Sequence, residues 1–181
     1  MNWFQRLLCP DSNKIAQLEK VLAAKDDKIK WMESQKGRSA TPDFLFDSSL
    51  VKTISGAKLR DVLTDAFPGK DIMLNDGEFK YTTLAEVQRW ASFDPTNELT
   101  YRAEELDCDK FALTDMAQFK SENNYQLGNV VFGLARGNAP VGYHEWNIAY
   151  VEEGIIMCEP QTDQIWKWND NKEYKPDFIY I

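Results

Sequence analysis

The chain has a single histidine, three cysteines and only 21 basic against 29 acidic residues, and each scarcity excludes something. A formal charge of -8 and a pI of about 4.7 repel nucleic-acid backbones and anionic lipid surfaces, and no basic stripe opposes that average. The sequence therefore predicts neither a nucleic-acid nor a membrane partner. The longest apolar stretches, Asn129 to Ala135 and Gly154 to Cys158, fall far short of the roughly 18–20 residues a spanning helix needs. Met1 to Cys9 lacks the apolar core and small-residue cleavage site of a secretory signal. Cys9, Cys108 and Cys158 are odd in number and widely spaced, which suggests neither a disulfide framework nor a zinc site. Free thiols in a reducing setting, cytoplasmic or virion-associated, are the expectation.

What is plentiful is aromatic: six Trp, ten Phe and seven Tyr give a chain of 181 residues enough apolar surface for one core with an extension. The extension is N-terminal. Ile15, Leu18, Leu22, Ile29 and Met32 occupy heptad positions, with Lys25 at the d position between them. A helix about 30 Å long follows from some 20 residues, and it predicts an oligomerisation segment over 1–36, with homo-oligomer contacts through residues 11–34. Gln35 to Pro42, interrupted by Gly37 and Pro42, contains the linker over 37–42. Residues 43–181 are then the globular domain.

Within that domain, Ser55 to Phe67 predicts a helix with Leu59, Val62, Leu63 and Phe67 on one side, stopped by Pro68 and Gly69. Asn75, Asp76 and Gly77 separate two short apolar stretches in the manner of a hairpin or tight turn. Thr83 and Glu86 form a capping-box pair before a second helix through Val87, Trp90 and Ala91. A third helix opens after Asp107 with Cys108, Phe111, Ala112, Met116 and Phe119 as its inward stripe. From Leu127 onward the period shortens. Strands are predicted over 129–134, 143–151, 154–159, 164–168 and 177–181, with a turn from Arg136 to Gly142. Helices followed by a strand meander predict an α+β domain with helices packed on an antiparallel sheet.

The chemistry centres on Cys108. A thiol is nucleophilic as thiolate, and a helix N-terminus or a neighbouring imidazolium lowers its pKa. Position supplies the first, and His144 is the one residue able to supply the second. Glu159, ending the next strand, is placed to orient the imidazole across an antiparallel pair, and Gln161 offers a neutral donor for a partner or an oxyanion. Taken singly, a cysteine on an amphipathic helix is more often a core residue. The aromatics Trp146, Tyr150, Trp166 and Trp168 alternate along strands in the manner of core packing, with a carbohydrate or peptide groove as the rarer outcome.

The string Leu106-Asp107-Cys108-Asp109-Lys110-Phe111-Ala112, then Gly142 to His144, then Glu159-Pro160-Gln161-Thr162, resembles the papain-like protease domain of the Marasmius oreades agglutinin family of chimeric mushroom lectins. The resemblance covers roughly Tyr101 to Trp168. It implies a papain-like fold, with Cys108 as nucleophile, His144 as general base and then acid, Glu159 as orienting carboxylate and Gln161 as an accessory polar group. It also implies calcium, with Asp107 and Asp109, joined by Glu104 or Glu105, as ligands; a cation there would offset two charges that disfavour the thiolate. The lectin half of those proteins has no counterpart here, so the resemblance does not carry sugar binding. The combined expectation is a soluble cysteine hydrolase, peptidase-like, acting on a peptide or protein substrate through a thioester. The alternative is an inactive interaction or structural module, virion-associated, assembled through the N-terminal coiled coil.

Overall fold

The computed structural model describes residues 44, 46–102, 106–124 and 129–181. The heptad segment, the linker over 37–42 and Glu104 and Glu105 lie outside them. The described residues belong to one unit, Phe44–Ile181.

Its first helix, α1, spans Gly56–Ala66, and the Ser55 side chain accepts from the Lys58 N–H at its start. Helix α2, Leu84–Ala91, starts under the Thr83 hydroxyl, which accepts from the Glu86 N–H. The reciprocal half of the capping box is diverted: the Glu86 carboxylate accepts from the Asp47 backbone N–H at 3.0 Å and from Arg89 at 2.8 Å. Helix α3 runs Cys108–Asn124.

Eight strands complete the unit: β1 Lys52–Ser55, β2 Asp71–Met73, β3 Glu78–Tyr81, β4 Phe132–Ala139, β5 Gly142–Val151, β6 Gly154–Glu159, β7 Gln164–Lys167 and β8 Lys175–Tyr180. A two-stranded β1–β3 sheet stands apart from a six-stranded sheet ordered β2-β8-β4-β5-β6-β7. All neighbours in the larger sheet are antiparallel except β2 and β8, which run parallel. The sheet is thus mixed, and the described residues are mostly β with three short helices, which corrects the expected antiparallel α+β arrangement. The segment around Asn75 to Gly77 is not a hairpin, because β2 joins β8 while β3 joins β1. Likewise β4 continues past Arg136 to Ala139, and only Pro140 and Val141 separate it from Gly142, whose φ of 110° suits glycine.

The larger sheet has two covered faces. On one, Leu59, Leu63 and Phe67 pack against Trp146, Ile148, Met157 and Ile179. On the other, Trp90 of α2 and Phe119 of α3 pack against Phe132, Val151 and Ile156, with Phe119 and Phe132 stacked at 4.1 Å. Alternation along β5 assigns even-numbered residues from His144 to Ile148 to the α1 face and odd-numbered ones to the α2 and α3 face.

Candidate functional site

His144 lies near the start of β5 and Glu159 ends β6. His144 Nε2 sits 2.7 Å from Glu159 Oε2, with the two residues 6% and 7% exposed. A carboxylate accepts, so Nε2 carries a proton in this pair. Tyr174, just before β8, donates its hydroxyl to the same Oε2 at 3.3 Å. Burial, followed by the negative charge of Glu159, pushes the Tyr174 hydroxyl up to about 12, so it remains a donor. Trp146 completes an aromatic wall: it stacks near His144 at 6.1 Å and meets Tyr174 edge-on at 5.1 Å. Its indole N–H donates to Met157 Sδ at 3.1 Å.

Cys108 is half-buried in the first turn of α3. Two observations place that turn at the same end of β5 as His144. The Asn147 amide donates to the carbonyl of Ala112, one turn into α3, at 2.8 Å, and Glu145 feels the charges of Asp109 and Asp107. The helix packs on the face that carries Asn147, whereas His144 shares the face of Trp146. Among the described residues no hydrogen bond joins the Cys108 sulfur to His144. Gln161 is half-exposed in the turn after β6, and its amide has no hydrogen-bond partner among the described residues. Cys158 is buried, and burial pushes its thiol well up from the ordinary range, which suits a packing role.

Lys110 Nζ binds Asp107 at 2.8 Å and approaches Asp109 at 3.4 Å, supplying the compensating cation from within the chain. A side-chain hydrogen bond with Asp109, followed by the one from Lys110, holds the Asp107 carboxyl below the usual carboxylate range. Among the described residues no group of three or more His, Cys, Asp or Glu side chains is arranged to hold a metal ion.

A second feature adjoins the pair. A cavity of about 10 Å³ is lined by Asp115, Glu159, Asp163, Cys158, Trp90 and Val87 among others. Asp115 is 4% exposed, and burial, reinforced by Asp94, Asp163 and Glu159, pushes its carboxyl well above the ordinary 3.8. The folded chain therefore holds a proton here that the unfolded chain releases as pH rises through 3.8. Above that pH the stability contribution is negative and grows until the folded value is reached. Asp115→Asn is accordingly expected to raise the urea midpoint at pH 7, with the gain vanishing toward pH 4.

Asp115, Asn147 and Tyr174 were not singled out as site residues from the sequence. Asp115 had a usable signal, since it interrupts the stripe of Phe111, Ala112, Met116 and Phe119 with a charge. Tyr174 had none, because it lies in an irregular segment whose approach to Glu159 follows from β8 pairing with β4 across the sheet.

The fold so defined, a mostly β unit on a six-stranded mixed sheet, is shared with a fungal lectin. No family model matches the chain, and no curated protein matches it significantly. Among solved structures it is similar to one described as "PSL1a-E64 complex", with TM-score 0.60 and 23% identity over 71% of this chain and 50% of that one. It is also similar to Polyporus squamosus lectin bound to the human-type influenza-binding epitope Neu5Aca2-6Galb1-4GlcNAc, with TM-score 0.56 and 23% identity over 73% of this chain and 50% of that one. The chain thus spans half the length of each, and at this identity the likeness is one of fold.

These neighbours correct the expectation carried by the Cys, His and Glu-Pro-Gln-Thr segments. Structures named for a lectin replace the papain-like protease domain as what the fold resembles. With that assignment go the papain-like fold, the cysteine peptidase or amidase acting through a thioester, and the inactive coiled-coil module. The peptide or protein substrate goes too, since a neighbour holds a saccharide. The physical reason is that three residue types in order, at single positions, specify a strand and helix arrangement only weakly; many sheets place a histidine opposite a glutamate.

Proposed function

We propose that this unit binds an electrophilic ligand at Cys108, with His144 and Glu159 as the groups that take up and hold the thiol proton. In that capture a bond forms between sulfur and the electrophilic carbon, the S–H bond breaks, and the proton passes to Nδ1 of His144, whose imidazolium Glu159 stabilises. The observation that carries the reading is the buried 2.7 Å His144–Glu159 bond near the start of β5. With Nε2–H given to Glu159, Nδ1 is the ring nitrogen left to take up a thiol proton. One neighbour is a complex with E64, which supports a small-molecule site on this fold. No turnover is part of the proposal.

Alkylation of the folded chain with iodoacetamide, mapped by mass spectrometry, tests it. Cys108 is expected to react ahead of Cys9 and Cys158, and prior incubation with E64 is expected to protect it. Equal labelling of Cys108 and Cys9, with no protection, rules the reading out.

A second reading, saccharide binding, is favoured by the glycan-bound neighbour. Titration with Neu5Aca2-6Galb1-4GlcNAc distinguishes the two: a calorimetric signal that persists in Cys108→Ala, without E64 protection, supports the saccharide.

A further inference from the structure

Tyr174 stands where three aromatic side chains and a carboxylate meet. Its ring lies 4.8 Å from that of Trp166, 5.1 Å from Trp146 and 6.2 Å from His144, and its hydroxyl donates to Glu159 Oε2 at 3.3 Å. The backbone explains how a residue just before β8 arrives there. On β4 the residues opposite His144 and Trp146 are Gly137 and Ala135, whose small size leaves the sheet low between β8 and β5. Pro176, just after Tyr174, pairs with Gly137, and a Cβ at Gly137 would meet the Pro176 Cα at 2.9 Å. Glycine there lets the chain bearing Tyr174 lie close against β4. Ahead of Tyr174, the Asn171 side chain accepts from the Glu173 backbone N–H at 3.1 Å, so the turn is pinned on that side as well.

The donors to Glu159 are unevenly shared. Oε2 receives both the His144 Nε2–H at 2.7 Å and the Tyr174 hydroxyl, whereas Oε1, buried, has no hydrogen-bond partner among the described residues. A carboxylate held by a single N–H can swing about that bond, and a second donor reaching the same oxygen from another direction removes the swing. Tyr174 is that second donor.

We propose that Tyr174 is a positioning residue: its hydroxyl, aimed by the packing of its ring against Trp146 and Trp166, holds the Glu159 carboxylate in the orientation in which it receives His144. The ring contacts leave the phenol little room to turn. It meets Trp146 edge-on at 87° and Trp166 at 55°, and Trp146 is itself fully buried and tied to Met157 Sδ. Burial, followed by the charge of Glu159, keeps the proton on the phenol, so the bond runs in one direction. A residue that merely packs would act through its ring; one that positions acts through its oxygen, and Tyr174→Phe separates the two.

The inference rests on the reading of His144 and Glu159 as the pair that takes up the Cys108 proton, and its test reads that pair directly. With one histidine in the chain, nitrogen-15 NMR of the folded protein reports the His144 ring alone. In Tyr174→Phe, which keeps the ring and loses the oxygen, the Nε2–H is expected to exchange with water about fivefold faster or more, the factor that one hydrogen bond of ordinary net strength supplies. Tyr174→Leu, which loses ring and oxygen, is expected to exchange at least as fast. An unchanged rate in Tyr174→Phe overturns the proposal, and so does a change confined to Tyr174→Leu, since packing alone would then account for the residue. Where the phenylalanine variant does not fold, the wild type decides. The Tyr174 hydroxyl proton and the His144 Nε2 proton share one acceptor, so a nuclear Overhauser effect between them is expected, and its absence with the Nε2–H signal present overturns the proposal. Failure of Cys108 to alkylate ahead of Cys9, by contrast, overturns the thiol reading and leaves this result standing.

Discussion

Gly133→Ala is expected to destabilise the fold by about 3 kcal/mol, the upper end of the range for forcing atoms into a packed interior. Gly133 lies on β4 where β8 crosses, and a Cβ built on it would meet the Tyr180 carbonyl oxygen at 2.0 Å and the Ile181 Cα at 3.0 Å. Both are backbone, so rotamer changes give no relief; the β4–β8 ladder itself must open. That ladder holds β8, and with it β2, to the rest of the sheet. Gly137, next to the register shift in the same ladder, has the Lys175 carbonyl oxygen at 2.1 Å from the corresponding point. Urea unfolding followed by Trp fluorescence measures the effect; a loss below about 1 kcal/mol would mean that the two strands separate more easily than their register implies.

Trp146→Ala is expected to cost about 3–5 kcal/mol, the range for emptying a large aromatic site in a core. Trp146 is 0% exposed at the centre of the α1 face. Its loss also strands the Met157 sulfur and removes the wall that Tyr174 and His144 lean on. Because Tyr174 also binds Glu159 Oε2, the variant is expected to blur the His144 environment even where the chain still folds. Trp146→Phe keeps part of the wall and is expected to lose less than half as much. Equal losses in the two variants would place the cost in the indole N–H bond instead of in volume.

Much of the local structure was legible because it depends on neighbours in sequence. The stripe of Leu59 and Leu63, the cap at Thr83 and the stripe that opens at Cys108 each follow from helical spacing, and β5 and β6 follow from short-period patterning around the turn at Glu152 and Glu153. What failed depends on partners far along the chain. Nothing near Asp71 to Met73 announces a parallel pairing with Phe178 to Tyr180, and the length of β4 is set by β5 and β8 on either side. The site divides along the same line. His144 and Glu159 sit on consecutive antiparallel strands, so their meeting could be anticipated from the hairpin between them. The face is less legible: order and resemblance group Cys108 with them, while the helix that carries it packs against the odd-numbered residues of β5. Tyr174 reaches Glu159 from the irregular segment before β8, a place that a scan for nucleophile and base would not visit.

The rate of Cys108 alkylation in His144→Ala, relative to wild type at pH 7, is the measurement closest to the central claim. A positioned proton acceptor contributes roughly 100-fold or more to such a step, so the variant is predicted to react about 100-fold more slowly at Cys108 while Cys9 reacts at its former rate. An unchanged Cys108 rate would contradict the account, leaving the His144–Glu159 bond a feature of core packing.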